Sequence, residues 1–336
     1  MQTTDTRQST DRSGIKDISR VDQWCLDRLL GMSGSGKSIR LSRRLLRSYL
    51  STRPVDKRHL VRYELAGRQL LLPSSHPLPY YQQVHPKYQL NVGVAAKAIS
   101  EKYPRSTIID IGANVGDSAA IMRKQCAAPI LCIEGDPIFF EILQANAAEW
   151  TDLELVHAFV SATGDSDRSY EAQSDRGTGR LVAAATSLNV TPTVRLDSIL
   201  GNQPDFSSHC KLVKLDTDGL DTLLLRGCRE FLARNEPAIF FEYDPSLFLE
   251  HDPQGEQVFQ YLAQLDYGPA VVYDNFGYLI AVVEFVDSET MRDLARYLTT
   301  RKIPYYDLLV FPRLDQELAG RVRELELATY CSTGNA

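Results

Sequence analysis

The chain has no uninterrupted apolar run of membrane-spanning length, no C-x-x-C pair among its six cysteines, and only six histidines in 336 residues. The first absence leaves no transmembrane segment to expect. The second argues against a zinc site: Cys25, Cys126, Cys132, Cys210, Cys228 and Cys331 are scattered. Three of them, Cys126, Cys132 and Cys228, fall inside apolar strand or helix patterns, as reduced and buried thiols do. The first 20 residues are rich in Thr, Ser, Asp and Arg and have no apolar core, so a disordered tail is expected there rather than a signal peptide, and a cytoplasmic location with it. With 43% hydrophobic and 24% charged residues, the composition excludes a fibrous, disordered or membrane-spanning protein. No internal repeat or coiled coil is visible.

What is present concentrates in the stretch from Thr107 to Ala119, TIIDIGANVGDSA. Ile108, Ile109 and Ile111 are β-branched and apolar, as in a strand buried on both faces of a parallel sheet. Gly112 and Gly116 permit a tight turn and a close approach to a ligand, and a helix opens at Ser118. A dinucleotide fingerprint, G-x-G-x-x-G, aims helix amides at a pyrophosphate. Here the pattern is D-x-G-x-x-x-G, with Asp110 at the strand end and Asp117 at the helix start. Carboxylates there repel a pyrophosphate and suit a ligand carrying an ammonium and a sulfonium, so S-adenosylmethionine (SAM) fits better than NAD. The expected cofactor contacts are Asp110, Gly112, Ala113, Asn114, Gly116, Asp117 and Ser118. Ile130 to Glu134 is a second apolar strand ending in an acid, and Glu134, followed by Gly135, is placed to accept hydrogen bonds from both ribose hydroxyls. A third strand from Leu153 closes at Ser161, near where an adenine edge belongs.

Further along, Lys211 to Asp216 and Ala238 to Tyr243 read as strands that also end in acids. Ligands of open parallel sheets bind at the carboxyl ends of the strands, so Asp110, Glu134, Asp216 and Glu242 are expected to converge on one crevice. Three roles stay open for Asp216, Asp218 and Glu242: accepting the proton of an acceptor hydroxyl, holding a divalent metal, or hydrogen-bonding the substrate. Asp216 is favoured as the central residue, as base or anchor. A metal is not favoured, because no histidine accompanies the acids in sequence. Asp218 and Asp221 have a further reading as caps of the helix that follows. The polar excursion from Asp165 to Gly179 reads as a loop lining the pocket.

The series of a strand with DIGANVGDSA, a strand with CIEGDP, KLDTDGLD at 214–221 with Leu225-Arg-Gly227, PAIFFE at 237–242 and YDLLVFP at 306–312 resembles the FkbM family of SAM-dependent methyltransferases. The resemblance covers roughly residues 105–312 and differs in having Asp218 and Asp221 where Glu is common. It implies a class I methyltransferase fold: an α/β, Rossmann-like, mostly parallel sheet of seven strands with helices on both faces. It also implies methyl transfer from SAM, with S-adenosylhomocysteine as product, usually to oxygen. The acceptor that follows is a hydroxyl of a sugar, polyketide or other secondary metabolite, small molecule or glycan, rather than nucleic acid.

Ahead of the first motif the charge is uneven. Residues 37–62 hold nine Lys or Arg against Asp56 alone, in a chain of net charge −6. Leu41, Leu45, Leu46, Tyr49 and Leu50 give this segment an apolar helical face. It is expected to dock on the domain or on a second subunit, as a homo-oligomer, with the basic residues in water. An anionic membrane surface, substrate or nucleic acid is the other use of such a segment. Gly31 to Ser38, GMSGSGKS, satisfies the P-loop pattern G-x-x-x-x-G-K-[ST]. Val21 to Leu30 before it nevertheless reads as an amphipathic helix rather than a buried strand, so these glycines are expected to be a linker and not an ATP site. Leu60 to Leu72 reads as a hairpin turning at Ala66-Gly67, and Pro73 to His85 as a loop over the pocket carrying His76, Tyr80, Tyr81 and His85, with Tyr88 just beyond. The expected parts are a tail at 1–20, an N-terminal extension at 21–104, the methyltransferase domain at 105–315, and a C-terminal helix and tail at 316–336.

Overall fold

The computed structural model describes residues 18–162, 170–175, 178–183, 193–247, 252–301 and 305–333, without the side chains of 170–183 and 330–333. The expected tail at 1–17 and the last residues at 334–336 lie outside them, as do 163–169 and 176–177 of the expected pocket loop.

The first helices, α1 (Arg20–Leu30) and α2 (Lys37–Ser51), are followed by a hairpin of β1 (Leu60–Leu65) and β2 (Arg68–Pro73). Ala66 and Gly67 both take positive φ, 55° and 81°, the two-residue turn whose twist suits adjoining strands. The expected loop after the hairpin contains a short helix, α3 (Leu78–Val84), started by Pro79 in its first turn, and α4 (Leu90–Lys102) leads into the main sheet. Gly31 closes α1, its N–H donating to Asp27 O at 2.9 Å, and Lys37 opens α2. The P-loop pattern thus joins two helices, with Lys37 and Ser38 exposed and α1 rather than a strand directly before it.

The strands that follow are β3 (Thr107–Ile111), β4 (Ile130–Glu134), β5 (Leu153–His157), a short β6 (Phe159–Ser161) that pairs with β9 (Thr193–Arg195) apart from the main sheet, the hairpin strands β7 (Tyr170–Asp175) and β8 (Thr178–Ala183), and then β10 (Cys210–Leu215), β11 (Ala238–Tyr243), β12 (Tyr267–Asp274), β13 (Leu279–Val283) and β14 (Tyr306–Pro312). Eight of these pair in the order β13-β12-β14-β11-β10-β3-β4-β5. The five from β5 to β11 are parallel and the other three antiparallel. The sheet therefore has eight strands rather than the expected seven, because both arms of the β12–β13 hairpin join it. Every residue of β3 and β4 is buried, which is why these segments read as continuous apolar runs rather than alternating ones. Two apolar clusters cover the sheet's two faces. One gathers Ile108, Phe139, Phe240 and Phe311 with Leu26, Leu60 and Leu72 of the N-terminal elements, and the other gathers Ile109, Leu131, Phe231, Phe241 and Val310. After β10 come two short helices, Asp221–Gly227 and Arg229–Asn235.

In α2 the expected single apolar face divides. Leu46, Tyr49 and Leu50 pack inward, but Leu41 and Leu45 stay 57% and 61% exposed. The expected excursion at 165–179 holds strand residues, since β7 and β8 pair as an antiparallel hairpin. Among the described residues no helix is long and apolar enough to cross a membrane.

Candidate active site

The carboxyl ends of the parallel strands open into a cavity of about 910 Å³, roofed by α1, α2 and the segment from Ser74 to Asn91. Glu134, Asp216 and Glu242 converge on it as their strand-end positions predict, and so do Gly112, Asn114, Asp117, Ser118, Gly135, Ser161 and Asp218. Asp110, Ala113 and Gly116 do not line it.

Asp110 is instead engaged inside the fold, by a residue not singled out from the sequence. It is fully buried, and it lies opposite Lys214 in the parallel register of β3 and β10. The Lys214 ammonium, itself buried, sits 3.0 Å from Asp110 Oδ1 and 3.3 Å from Asp216 Oδ2, and donates to Gly112 O at 3.2 Å. Ser118 Oγ donates to Asp110 Oδ2 at 2.5 Å. Asp110 is thus the buried counter-ion that ties β3, β10 and the first turn of α5 (Asp117–Gln125) together. Its carboxyl is raised by burial, against the pull of Lys214, while Lys214 is held well above the usual ammonium range by Asp110, Asp216 and Asp117 despite its burial. A lysine in the middle of a β-rich apolar run was the available signal, because such a charge is kept in a core only when paired.

Gly112 has a reason within the fold as well. Its φ is +75°, and a Cβ there would lie 1.9 Å from Asp216 O, in the backbone just past β10. Gly116 likewise faces Leu143 and Trp150.

Glu134 is buried, and each of its oxygens accepts one backbone N–H at 2.7 Å, from Asn114 and from Asp136. These bonds fix the carboxylate's orientation and leave each oxygen a further lone pair toward the cavity. Burial pushes its pKa up to about 7 against those hydrogen bonds. Next to it, Asp136 caps α6 (Pro137–Ala147) by accepting from Ile138 N and Phe139 N.

At the other end of the rim the acids crowd. Asp218 lines the cavity in a left-handed conformation, φ 51°, and burial with Asp216 nearby raises it to about 7. Glu242 pairs across the antiparallel β11–β14 register with Asp307, which also lines the cavity and accepts from Asn91 Nδ2 at 2.9 Å. Burial and the surrounding carboxylates raise Glu242 well above the ordinary range and Asp307 to about 7. Asp307 is the second residue missed: it opens its strand rather than closing it, and only the antiparallel pairing of β14 with β11 brings it to the same rim. Asp221 turns away from the cavity: its Oδ2 accepts from Thr217 Oγ1 at 3.1 Å, so it braces the loop after β10.

Tyr80, Tyr81 and Tyr88 line the roof, whereas His85 stacks on Phe276 at 3.7 Å and lies outside it. His76 lines the cavity, and burial lowers it to about 4, so its ring is neutral. Beside it Ser75 Oγ is buried on the cavity wall with no hydrogen-bond partner among the described residues. Among those residues no group of three or more His, Cys, Asp or Glu is arranged to hold a metal ion.

No curated protein matches the chain. Similar solved structures include the methyltransferase FkbM from Methylobacillus flagellatus KT, at 10% identity and a TM-score of 0.37, covering 86% of this chain and 59% of that one. Others are the TYW2 of M. jannaschii in complex with AdoMet, at 11% identity and 0.40 over 75% and 85%, and precorrin-6y C5,15-methyltransferase from Geobacter metallireducens GS-15, at 12% and 0.33 over 65% and 86%. Residues 110–269, which run from the buried Asp110 through Glu134, Asp216 and Glu242, match the model of the methyltransferase FkbM domain.

Proposed function

We propose that the protein is a SAM-dependent O-methyltransferase whose acceptor is a hydroxyl of a sugar, polyketide or other secondary metabolite. The observation that carries the reading is one cavity with the fixed Glu134 carboxylate at one end and Asp216, Asp218, Glu242 and Asp307 at the other. Two features fit the cofactor. The rim is acidic and its Lys214 is already engaged by Asp110 and Asp216, which suits a cationic ligand. The unpartnered Ser75 Oγ offers a buried hydrogen bond that a polar ligand completes. When bound, SAM supplies an electrophilic methyl group on a sulfonium.

The chain's own residues then have distinct work. Glu134 accepts from the ribose hydroxyls, and Asn114, Gly135 and Ser161 border the nucleoside. Asp216, bridged to Lys214, anchors an acceptor hydroxyl. Asp218, with a pKa of about 7, takes the hydroxyl proton at its carboxylate oxygen, since a base near the working pH is the most effective. Glu242, whose carboxyl burial raises well above the ordinary range, and its neighbour Asp307 offer the acceptor further hydrogen-bonding groups. The roof of tyrosines keeps water out while the groups are held in line.

Calorimetric titration with SAM, S-adenosylhomocysteine, ATP and NAD, followed by mass spectrometry of a hydroxyl-compound panel, tests the reading. Binding of the first two alone, weakened at least about tenfold in Glu134→Gln, and a methylated hydroxyl product are expected. Methylation of nitrogen or carbon alone would overturn the oxygen assignment, and binding of ATP alone would overturn the cofactor.

A further inference from the structure

The exposed side of α2 has a composition that the site does not explain. Leu41 and Leu45 stand one turn apart in solvent, and Lys37, Arg40, Arg44 and Ser48 are exposed around them. At about 100° per residue the two leucines form a narrow stripe, with Lys37 and Arg44 on one flank and Arg40 further round. No acidic residue occurs anywhere in the helix. The adjoining α1 exposes Val21 and Trp24 as well, at 61% and 62%, with Arg20 and Arg28 also in solvent. Leu46, Tyr49 and Leu50 on the inner side meanwhile hold α2 to the core.

We infer that this face of α2 is a docking surface for an anionic lipid bilayer, with Leu41 and Leu45 entering the headgroup boundary and the Lys and Arg side chains meeting lipid phosphates. The charge decides between occupants. A second copy of the chain placed on the same face sets Arg40 and Arg44 against their like. A nucleic acid neutralises the arginines but leaves two leucines against phosphate and water. An anionic bilayer meets both, with apolar depth beneath a layer of negative charge, and long basic side chains reach that layer while their leucine neighbours are immersed. The helix also contributes Arg47 and Leu50 to the cavity wall, so the docked face and the site share one element.

Flotation of the full chain with vesicles tests this, using phosphatidylcholine alone and equal parts of phosphatidylcholine and phosphatidylglycerol, at about 0.15 M salt. The protein is expected to float with the anionic vesicles and not with the neutral ones. The double substitution Leu41→Ser and Leu45→Ser is expected to reduce partitioning at least about tenfold, since it removes two apolar side chains from the boundary. Both positions are exposed, so its unfolding midpoint is expected to match that of the parent. Absence of flotation overturns the inference, as does equal flotation of the double variant, which reduces the contact to charge alone. A dimer in sedimentation that the double substitution dissociates, without vesicle binding, overturns it in favour of self-association.

Discussion

Replacing Lys214 by Met keeps the volume and removes the charge, and its cost follows from where that charge sits. The ammonium is buried 3.0 Å from Asp110, a carboxylate with no exposure to solvent. At an effective dielectric of about 20, the gross attraction across such a gap is about 5 kcal/mol. Desolvation of both ions consumes much of that in the intact protein. Removal of one partner is another matter, because Asp110 is left charged and uncompensated, and breaking a buried pair in this way costs about 3–5 kcal/mol. Thermal unfolding at neutral pH is then expected to shift down by roughly 6–10 °C, at about 2 °C per kcal/mol for a chain of this size. The deficit is expected to narrow as the pH is lowered, since burial raises Asp110 and its protonation removes the unpaired charge. It is also expected to narrow in the double variant Lys214→Met with Asp110→Asn, where neither ion remains. A single variant that melts within 2 °C of the parent, or a double variant no better than the single, would refute the reasoning.

Gly112→Ala is expected to destabilise the fold by at least about 2 kcal/mol in urea denaturation, because the new Cβ meets the Asp216 carbonyl at 1.9 Å and the residue holds a φ of +75°. The unliganded protein should melt at a lower temperature at pH 8.5 than at pH 6.5. Burial raises Glu134, Asp218, Asp221 and Asp307 to about 7 in the folded chain, against roughly 4 unfolded, so the stability tied to their protons is whole below pH 4 and fades as pH climbs through 7. His76 works in the opposite sense below about pH 6.5, being held neutral when folded, which is why the comparison starts there. In steady-state kinetics with an acceptor in hand, Asp218→Asn should lower kcat at least about a hundredfold and flatten the pH profile near 7, while Asp216→Asn should act mainly on KM.

Much of the site was legible because strand-end acids in a parallel sheet must point to one crevice, and Glu134, Asp216 and Glu242 do. Individual glycines were legible as necessary but not in their cause, since only the register of β3 against β10 reveals that Gly112 yields to a carbonyl. Lys214 and Asp307 were hidden for the same reason. Each acquires its meaning from a partner strand, and cross-strand neighbours are set by topology rather than by local spacing. The α2 face misled because its five apolar residues spread over about half the helix circumference, wider than one docking contact covers. The periodicity was correctly helical, yet it could not say which arc would meet the core.

The placement of β14 has a consequence for how the protein is made. This strand lies between β11 and β12, though it follows both in sequence, and it brings Asp307 beside Glu242 and Asn91. While a ribosome is still short of Tyr306, the Glu134 end of the cavity can already exist, but β11 and β12 each present a bare apolar edge with a missing neighbour between them. The nascent chain therefore passes through a stage in which the Glu134 end of the cavity is formed while the Asp307 end is not, and in which it is most exposed to wrong strand pairing.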